Sequence, residues 1–406
     1  MIQKKVCVIG LGYIGLPTAA LLASHRFQVA GVDTKSNVVE IVNKGGIHIV
    51  EHDLEVFVRS AVINGYLKAF NEPQESDVYM ICVPTPFHTG TETPEPNIDF
   101  VLGAIESIAQ LLKAGDMVIL ESTSPVGTTQ KMAGLLSERG VNISEINLAY
   151  CPERVLPGNI MNELVENDRI IGGLTPEATE VVSEFYQTFV KGKILGTDAK
   201  TAEMCKLTEN SFRDINIAFA NELSMICEDH NINVWDLIRL ANHHPRVNIL
   251  QPGAGVGGHC IAVDPWFIVA SNPSTAKLIR QAREVNKEKT RWVCSKIIEA
   301  ATQLEAEKKK PVVVACFGLA FKPNIDDLRE SPAVEVAQAL TKLGIDVIIV
   351  EPNIESHKNF VLHSIEDALN IADISVVLVR HKEFEEEKVK VRLRALNALD
   401  YCGALS

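Results

Sequence analysis

Cys260 is the residue whose setting most favours covalent chemistry. Four glycines between positions 253 and 258 precede it, so the backbone there must turn sharply or approach another group closely. A thiol must be partly ionised to act as a nucleophile, and backbone amides or a nearby lysine promote that ionisation. A buried, inert thiol is the ordinary interpretation for each of the nine cysteines. The glycine-rich loop, with His259 and Asp264 beside Cys260, favours a nucleophile at this position.

A predicted long helix over Ala202–Asp229 carries a polar stripe. Lys206, Asn210 and Arg213 stand at i, i+4 and i+7 and therefore share one face. A solvated helix face is the ordinary alternative for charged residues. The stripe becomes apolar at Ile217, and no acidic residue stands four positions after Lys206, which favours a lined cleft. The residues by themselves leave both interpretations open.

Glu153 and Arg154 follow an apolar run, Asn147–Tyr150, that predicts a strand. A pair of this kind on a surface contributes little to stability. Ligands of open α/β sheets bind where strands end, and there the two side chains would supply an acid–base group beside an anion site. The position after a strand favours this second interpretation.

Gly10, Gly12 and Gly15 follow a predicted strand and open a helix. The first glycine permits a tight turn, the second lets a pyrophosphate approach the backbone, and the third lets the helix pack on the strand. The helix N-terminus then offers N–H donors and a partial positive charge to the phosphates. Asp33 ends the next strand, where a carboxylate accepts hydrogen bonds from ribose hydroxyls and repels a 2′-phosphate. The motif therefore predicts NAD rather than NADP.

Two further loops follow strand ends and carry hydroxyl groups next to rigid prolines. They are Val83–Pro86, which contains Thr85, and Glu121–Gly127, which contains Thr123. As isolated segments both are typical of plain turns. Their place at the carboxyl ends of strands makes them candidates for ligand contact.

The alternation of apolar runs and helix-length segments predicts the architecture. Strands are predicted at Lys5–Gly10, Gln28–Asp33, Val78–Val83, Met117–Glu121, Asn147–Tyr150, Val312–Phe317, Asp346–Glu351 and Ile374–Val379. The first five predict a parallel sheet with helices on both faces, and the segment between the two groups is almost wholly helical. We expect an α/β fold of two Rossmann-like domains joined by a helical central region with a long helix. The predicted domains are 1–198, 199–304 and 305–406.

Composition and charge exclude several classes of protein. With 406 residues, 46% hydrophobic and 22% charged, the chain is typical of a globular protein with two or three domains. A net charge of -13 disfavours nucleic acid or an anionic membrane as a partner. There is no signal-peptide pattern, no apolar run long enough to span a bilayer, and no Cys-x-x-Cys pair. We expect a cytoplasmic, reducing location and no metal site.

These stretches together resemble the UDP-glucose/UDP-N-acetylmannosamine dehydrogenase family along nearly the whole chain. The resemblance also rests on the long, specific string Ala315–Ser331, and His244–Leu250 and Ala262–Trp266 look most like the UDP-N-acetyl-D-mannosamine branch. It implies an NAD-dependent, four-electron oxidation of UDP-N-acetyl-D-mannosamine at C6 to UDP-N-acetyl-D-mannosaminuronate, for surface-polysaccharide biosynthesis. The implied intermediates are a thiohemiacetal and a thioester on Cys260.

The resemblance implies a role for each matching position. The catalytic positions are Cys260, Lys206, Glu153, Asn210, Asp264 and Thr123. Lys206 would stabilise the oxyanion and shuttle a proton, and Glu153 would act on the hydrolytic water. The NAD-binding positions are Gly10, Gly12, Tyr13, Ile14, Gly15, Asp33, Thr85, Thr123 and Arg329. The substrate-binding positions are Arg154, Val155, Lys206, Asn210, Arg213, His244, Arg246, Gly257, Phe321 and Lys322.

The same resemblance assigns functions to the three domains. The first would bind NAD, the central one would dimerise and present Cys260, and the last would bind the UDP-sugar. Arg246 would reach the sugar of the neighbouring subunit in a homodimer. Related chains end with an Asp-x-Lys/Arg-Gly pattern whose base touches the substrate, and here Cys402 replaces that base. Candidates to supply the lost charge are Lys388, Lys390 and Arg392.

Two other functions remain open at this point. A UDP-N-acetylglucosamine 6-dehydrogenase would share the fold and mechanism and take the C2 epimer. A catalytically silent NAD-binding protein would use the same fold to sense or to scaffold, as the altered tail permits.

Overall fold

The computed structural model describes residues 4–49, 51, 53–88, 94–155, 158–258 and 260–406. The chain forms two compact units, Met1–Thr208 and Glu209–Ser406. His259, which entered the argument for a reactive cysteine, lies outside the described residues. The helix α8 (Ala199–Asp229) runs through the boundary between the units and begins three residues before its predicted start at Ala202.

The strands of the first unit form one eight-stranded sheet in the described part of the chain. They are β1 (Lys5–Ile9), β2 (Gln28–Val32), β3 (Leu67–Phe70), β4 (Val78–Ile81), β5 (Met117–Leu120), β6 (Asn147–Tyr150), β7 (Arg169–Gly173) and β8 (Ile194–Asp198). Their order is β3-β2-β1-β4-β5-β6-β7-β8. Neighbouring strands are parallel except β6 and β7. The five strands predicted here are present, and β3, β7 and β8 were missed.

Helices cover both faces of this sheet. They are α1 (Gly15–Ser24), α2 (Ser36–Asn43), α3 (Leu54–Ile63), α4 (Asp99–Ile108), α5 (Thr128–Glu138), α6 (Ile160–Glu166) and α7 (Pro176–Tyr186). Val6 and Val8 belong to a core with α1 and α3, whereas Cys7 and Ile9 belong to a core with α4 and α5. Alternate residues of one strand thus enter opposite cores, because side chains alternate across a sheet. This is why the strand sequences are apolar throughout.

The second unit contains a smaller parallel sheet. Its strands are β9 (Val313–Phe317), β10 (Asp346–Val350), β11 (Ile374–Val377) and β12 (Leu399–Asp400), in the order β10-β9-β11-β12. Its helices after α8 are α9 (Val234–Ala241), α10 (Asp264–Ser271), α11 (Lys277–Lys308), α12 (Pro332–Lys342), α13 (Ile365–Ile371) and α14 (Glu387–Ala395). Val314 packs with residues of α11 and α12, and Phe317 packs with residues of α13 and α14.

The predicted fold class is confirmed. In chain order, the strands of the first sheet and those of the second are separated by a helical stretch that contains the long helices α8 and α11. Across the described ranges, no helix combines the length and apolar character that crossing a bilayer requires.

The two sheets share one local device at the end of their first strand. Gly10 follows β1 with φ +94°, and Gly318 follows β9 with φ +95°. The Gly10 N–H donates to the Val32 carbonyl at 2.8 Å, and the Gly318 N–H donates to the Val350 carbonyl at the same distance. A φ near +95° is strained for a residue that carries a Cβ, so each turn favours glycine at this position.

Candidate functional site

The glycine turn of the first unit has the geometry of a phosphate cradle. A Cβ added to Gly10 would lie 2.6 Å from the Cys82 carbonyl oxygen, and one on Gly15 would lie 1.8 Å from the Gly10 oxygen. A Cβ on Gly12 would meet nothing within 4 Å. Packing therefore demands glycine at the first and third positions, while open space beside Gly12 admits a ligand. Because α1 begins at Gly15, its first amides face the same place, so these residues fit a dinucleotide.

Asp33 lies next to this turn, at the carboxyl end of β2. Its side chain is half-buried, and its Oδ2 accepts a hydrogen bond from the Leu11 amide at 3.2 Å. The Lys35 amide donates to Oδ1 at 2.9 Å. The carboxylate is thus fixed at the edge of the turn, as a ribose acceptor has to be.

The structure brings Thr85 and Thr123 together. The Thr85 hydroxyl donates to the Thr123 carbonyl at 2.7 Å, and the Ser122 hydroxyl donates to the Val83 carbonyl at 2.7 Å. The loops after β4 and β5 are therefore joined side by side at one edge of the sheet. Tyr13 and Ile14, the other predicted cofactor residues, precede α1 at the same carboxyl edge, and the Tyr13 side chain is exposed.

A carboxylate that the sequence argument missed holds the loop that follows Thr123. Glu203, in the first turns of α8, is fully buried. It accepts hydrogen bonds from the Gly127 amide at 2.6 Å and from the Thr129 amide at 2.8 Å. Burial raises the pKa of Glu203, and these donors oppose that rise. Its spacing of three residues before Lys206 was the available signal, because it places the acid on the polar stripe.

Glu153 is held in a buried ion pair. The Arg169 guanidinium donates to Glu153 Oε2 at 2.8 Å, and the two side chains are 1% and 6% exposed. Glu153 Oε1 accepts from the Arg154 amide at 2.6 Å. Burial alone would lower the pKa of Arg169, but the Glu153 carboxylate outweighs it and the pKa is raised. Arg169 was also missed, because a charged residue is normally a sign of exposure and the strand β7 that it opens was not predicted.

A second buried carboxyl group lies close by. The Tyr186 hydroxyl donates to Glu121 Oε1 at 2.6 Å, and the Cys82 thiol donates to Oε2 at 3.2 Å. Burial, and then the charge of Glu153, raise the pKa of Glu121. Glu121 precedes the loop that carries Thr123, so a polar network underlies the loops at this edge of the sheet.

In the second unit, Cys260 is exposed at the start of the turn that leads into α10. Its carbonyl accepts from the Asp264 amide at 2.8 Å, which places Asp264 one helical turn away. The buried Asp264 carboxylate accepts a hydrogen bond of 2.5 Å from the Asn210 side chain on α8. Three predicted catalytic residues, Cys260, Asn210 and Asp264, are thus brought together.

The glycines before Cys260 are explained by close packing. A Cβ on Gly255 would lie 2.2 Å from the Thr290 hydroxyl, and one on Gly257 would lie 2.4 Å from the Glu330 carbonyl. A Cβ on Gly258 would lie 2.7 Å from the Phe321 ring. Only glycine fits at these three positions, because any larger residue would clash with the neighbouring groups. This close packing fixes the position of the loop.

The remaining predicted residues occupy less enclosed positions. Lys206 is half-buried on α8, one turn before Asn210, and Arg154 and Val155 are half-buried after β6. Phe321 and Lys322 are half-buried in the loop after β9. Arg213, His244, Arg246 and Arg329 are exposed. Arg329 pairs with Asp327 at 2.6 Å, so its predicted contact with NAD requires a change of partner.

The tail is packed onto the second sheet. The Asp400 carboxylate accepts from the amides of Cys402 at 3.0 Å and Gly403 at 2.8 Å, and the Cys402 side chain is buried. The three basic candidates for the missing charge make other contacts. Lys388 and Arg392 pair with Glu366, and Lys390 donates to the Ser406 carbonyl.

Comparison with known proteins adds an independent finding. The chain matches three models of the UDP-glucose/GDP-mannose dehydrogenase family: the NAD binding domain over 4–190, the central domain over 200–288 and the UDP binding domain over 315–406. It is 54% identical to a Campylobacter jejuni UDP-N-acetyl-D-mannosamine dehydrogenase, covering 94% of this chain and 97% of that protein. It is 52% identical to a Ralstonia nicotianae NDP-N-acetyl-D-galactosaminuronic acid dehydrogenase, with coverages of 94% and 92%. The solved UDP-D-ManNAc dehydrogenase of Pyrococcus horikoshii superposes with a TM-score of 0.90 at 36% identity, with coverages of 99% and 96%.

Proposed function

The chain belongs to the UDP-glucose/GDP-mannose dehydrogenase family, and we propose that it oxidises the C6 alcohol of UDP-N-acetyl-D-mannosamine to the carboxylate. The resemblance inferred from the sequence is confirmed, as are NAD as the cofactor and the assignment as a nucleotide-sugar dehydrogenase. The substrate is a UDP-sugar. The choice of N-acetylmannosamine, the mechanism, the site residues and the homodimer are the parts that we propose.

The functional domains are proposed at 1–198 for NAD, 199–304 for dimerisation and the cysteine loop, and 305–406 for the UDP-sugar. The three family models fall within these limits, at 4–190, 200–288 and 315–406. The cytoplasm remains the expected location, since the cysteine pattern suits a reducing compartment.

The first unit holds the cofactor. Gly10, Gly12 and Gly15 receive the pyrophosphate, Asp33 binds the ribose, and Thr85 and Thr123 line the nicotinamide side. When bound, NAD accepts a hydride from the sugar carbon in each of two oxidation steps. The open space beside Gly12 supports this placement.

Cys260 divides the oxidation into steps with accessible barriers. Its sulfur adds to the aldehyde carbon, and the resulting thiohemiacetal loses a proton and a hydride to become a thioester. Water then attacks the carbonyl carbon, the C–S bond breaks, and the uronate leaves with the thiol restored. The single observation that carries this mechanism is the exposed Cys260 beside the Asn210–Asp264 pair.

The other proposed catalytic residues stabilise the oxyanion and position the hydrolytic water. Lys206 offers an ammonium group to the oxyanion and moves a proton to and from it. Glu153, fixed by Arg169, acts on the hydrolytic water, and Asn210 and Asp264 hold that water. Arg154, Val155, Arg213, His244, Gly257, Phe321 and Lys322 complete the proposed substrate contacts.

A homodimer with Arg246 acting in trans is supported by an apolar stripe on α8. Phe212, Phe219 and Ile226 are 69%, 51% and 46% exposed, and their spacing of seven residues places them on one face. Large exposed apolar side chains in a row are typical of a surface that another subunit covers. Arg246 is exposed after α9, where a partner subunit can reach it.

The experiment combines substrate choice with stoichiometry. Purified enzyme is given UDP-N-acetyl-D-mannosamine, its gluco epimer or its galacto analogue, and NADH and uronate are measured together. We expect two NADH per uronate and a preference for the manno sugar of about tenfold or more in kcat/KM, which corresponds to the net contribution of one hydrogen bond. One NADH per sugar would rule out the thioester route.

Two variants test the cysteine. Cys260→Ser is expected to abolish uronate formation while NAD binding persists, and Cys294→Ser, which alters a half-buried thiol on α11, serves as the matched control. Unchanged uronate formation by Cys260→Ser would exclude covalent catalysis, and no turnover of any sugar by the unmodified enzyme would favour a silent NAD-binding protein.

Two other sugars compete with N-acetylmannosamine. The 52% identity to a galactosaminuronic acid dehydrogenase is close to the 54% identity to the mannosamine enzyme, so the galacto sugar is a second candidate substrate. UDP-N-acetylglucosamine remains the third. Turnover of either one alone would replace our choice without altering the proposed chemistry.

A further inference from the structure

A buried carboxylate organises the second glycine turn. Glu351 follows β10 and is 4% exposed. Its Oε2 accepts hydrogen bonds from the amides of Leu319 at 2.7 Å and Ala320 at 2.9 Å, and it lies 3.0 Å from His381 Nε2. Its Oε1 accepts from the Asn353 amide at 3.0 Å and from the Asn353 side chain at 3.1 Å. Both oxygens are therefore surrounded by N–H groups.

The hydrogen bonds fix the tautomer of His381. The Asn324 amide donates to His381 Nδ1 at 2.9 Å, and the Asn353 side chain lies 3.0 Å from the same nitrogen. An amide N–H can only donate, so Nδ1 is an acceptor and the ring proton is on Nε2. That proton points at Glu351, so His381 bridges Glu351 and Asn324.

The segment held in this way is the one that carries two proposed substrate residues. Leu319 and Ala320 are anchored at one end and Asn324 at the other, and Phe321 and Lys322 lie between them. Asn324 has φ +61°, which closes the segment into a turn.

The same segment forms one wall of the cysteine loop. The Phe321 ring lies so close to Gly258 that a Cβ there would be 2.7 Å from it. Phe321 Cβ is likewise 2.8 Å from the place a Cβ on Gly257 would occupy. Movement of the segment would therefore move Phe321, which packs against Gly257 and Gly258 just before Cys260 in the chain.

We propose that Glu351 and His381 are positioning residues for UDP-sugar binding, acting through the segment Leu319–Asn324. They contact neither the sugar nor the reacting atoms, and they act by setting Phe321 and Lys322 for the nucleotide side of the substrate. The inference rests on the proposed function of this family member. It deepens that function by naming what holds the substrate loop.

The chemistry of the anchor requires a carboxylate. An amide at position 351 has one oxygen and one NH2 group, and N–H donors face both sides of the Glu351 head. In one orientation the NH2 group opposes the two donors of Asn353, and in the other it opposes the Leu319 and Ala320 amides and His381 Nε2–H, so buried groups stay unpaired in both. Glu351→Gln, although nearly identical in shape, is therefore expected to release the segment.

The experiment measures UDP binding to the intact enzyme by calorimetry, together with steady-state kinetics. For Glu351→Gln and His381→Leu we expect the Kd for UDP and the KM for the UDP-sugar to rise about tenfold or more, because two aligned contacts are displaced. The Kd for NAD should stay within about twofold, and kcat should fall less than KM rises. His381→Gln, which restores an N–H donor near the Nε2 position, should recover part of the affinity.

Asp373→Asn is the matched control. Asp373 precedes β11, accepts from the Val313 amide at 3.0 Å and pairs with Lys308, so its loss affects the opposite end of the same sheet. It should lower the melting temperature and leave UDP affinity unchanged. UDP affinity that is equal in all variants would overturn the inference, and so would a loss by the control that matches the loss by Glu351→Gln. If the unmodified enzyme binds no UDP, the proposed function itself fails.

Discussion

Arg169 and Glu153 form an ion pair of 2.8 Å that is almost closed to water. Arg169 opens β7 and Glu153 follows β6, so two adjacent strands that run in opposite directions bring the charges together. The Arg169 guanidinium also donates to the Leu164 carbonyl at 3.1 Å. The ion pair with Arg169 therefore holds the Glu153 carboxylate, which is proposed to be catalytic, in one position.

Arg169→Met tests this arrangement. Removing one partner leaves the other charge buried without compensation, which costs roughly 3–5 kcal/mol of unfolding free energy. Lys191→Met is the control, because Lys191 and Glu166 form an ion pair on the exposed surface of the same unit and its loss should cost less than about 1 kcal/mol. Urea unfolding measures both. Equal losses of unfolding free energy in the two variants would mean that the buried ion pair stabilises the fold no more than the exposed one.

Gly12→Ala and Gly15→Ala should separate ligand binding from folding. Nothing lies within 4 Å of a Cβ on Gly12, so the Ala variant should fold normally and bind NAD about tenfold more weakly or worse, since the methyl group occupies the phosphate approach. A Cβ on Gly15 would lie 1.8 Å from the Gly10 oxygen, so that variant should lose thermal stability. Melting curves and NAD titration give the two readouts. A Gly12→Ala enzyme with unchanged NAD affinity would place the pyrophosphate elsewhere.

Cys260 should be the first thiol to react with an alkylating agent. Burial raises the pKa of Cys7 to about 11, and burial raises the pKa of Cys151 and Cys316 to about 12. These thiols are both enclosed and protonated near neutral pH, whereas Cys260 is exposed. Mass spectrometry after brief iodoacetamide treatment should find the label at Cys260, in step with loss of activity. Prior labelling of a buried cysteine would contradict the described packing.

Lys289 should make stability rise with pH above neutrality. It is buried on α11, and its ammonium donates to Ser224 Oγ at 2.7 Å. Burial lowers the pKa of Lys289 from 10.5 to about 7, against the charge of Glu228. Above pH 7 and below 10.5, the unfolded chain binds a proton that the folded chain lacks. The unfolding free energy should therefore increase by roughly 1 kcal/mol per pH unit in this window.

Urea unfolding at about pH 7 and about pH 9 measures the effect. Lys289→Met should remove the dependence of the unfolding free energy on pH. At the lower pH it should be more stable than the unmodified protein, which there has to bury a charged lysine. Lys277→Met, at the exposed start of α11, should keep the slope. Identical slopes in all three proteins would show that Lys289 keeps an ordinary pKa.

Phe219→Glu should dissociate the proposed dimer. A charge at the centre of the exposed apolar stripe on α8 cannot be buried against a second copy at acceptable cost. Sedimentation should show a monomer, with activity lost if Arg246 acts in trans. Phe100→Glu, at a 53% exposed position on α4, is the control and should remain as assembled as the unmodified enzyme. A dimeric Phe219→Glu protein would move the interface elsewhere.

Sequence patterns predicted the strands that form clear apolar runs, including the edge strand β10, and they missed β3, β7, β8 and β12. β3 is an edge strand of four residues, β8 is an edge strand with three exposed residues, and β12 has two residues, so apolar periodicity is weak in each. β7 begins with the buried Arg169, and a charge is normally a sign of exposure.

The buried carboxylates could not be found in the same way. Glu203 and Glu351 bond to amides 76 and 32 residues away along the chain, so their partners become visible only in three dimensions. The glycine motif and the cysteine loop were recognisable because their spacing is local. The grouping of Asn210 with Asp264 was implied by resemblance and is a long-range contact of the second unit.

The two glycine turns differ in what they leave available. Beside Gly12 there is room, whereas the matching position of the second turn is Ala320, whose amide and that of Leu319 are already bonded to Glu351. The amides of the first turn can therefore receive the pyrophosphate of NAD, whereas the Leu319 and Ala320 amides of the second turn are already occupied by Glu351. The proposed reaction consumes two NAD molecules for each sugar, and both must therefore bind at the first turn, one after the other. The half-oxidised sugar has to stay bound to the enzyme while NADH leaves and the second NAD binds.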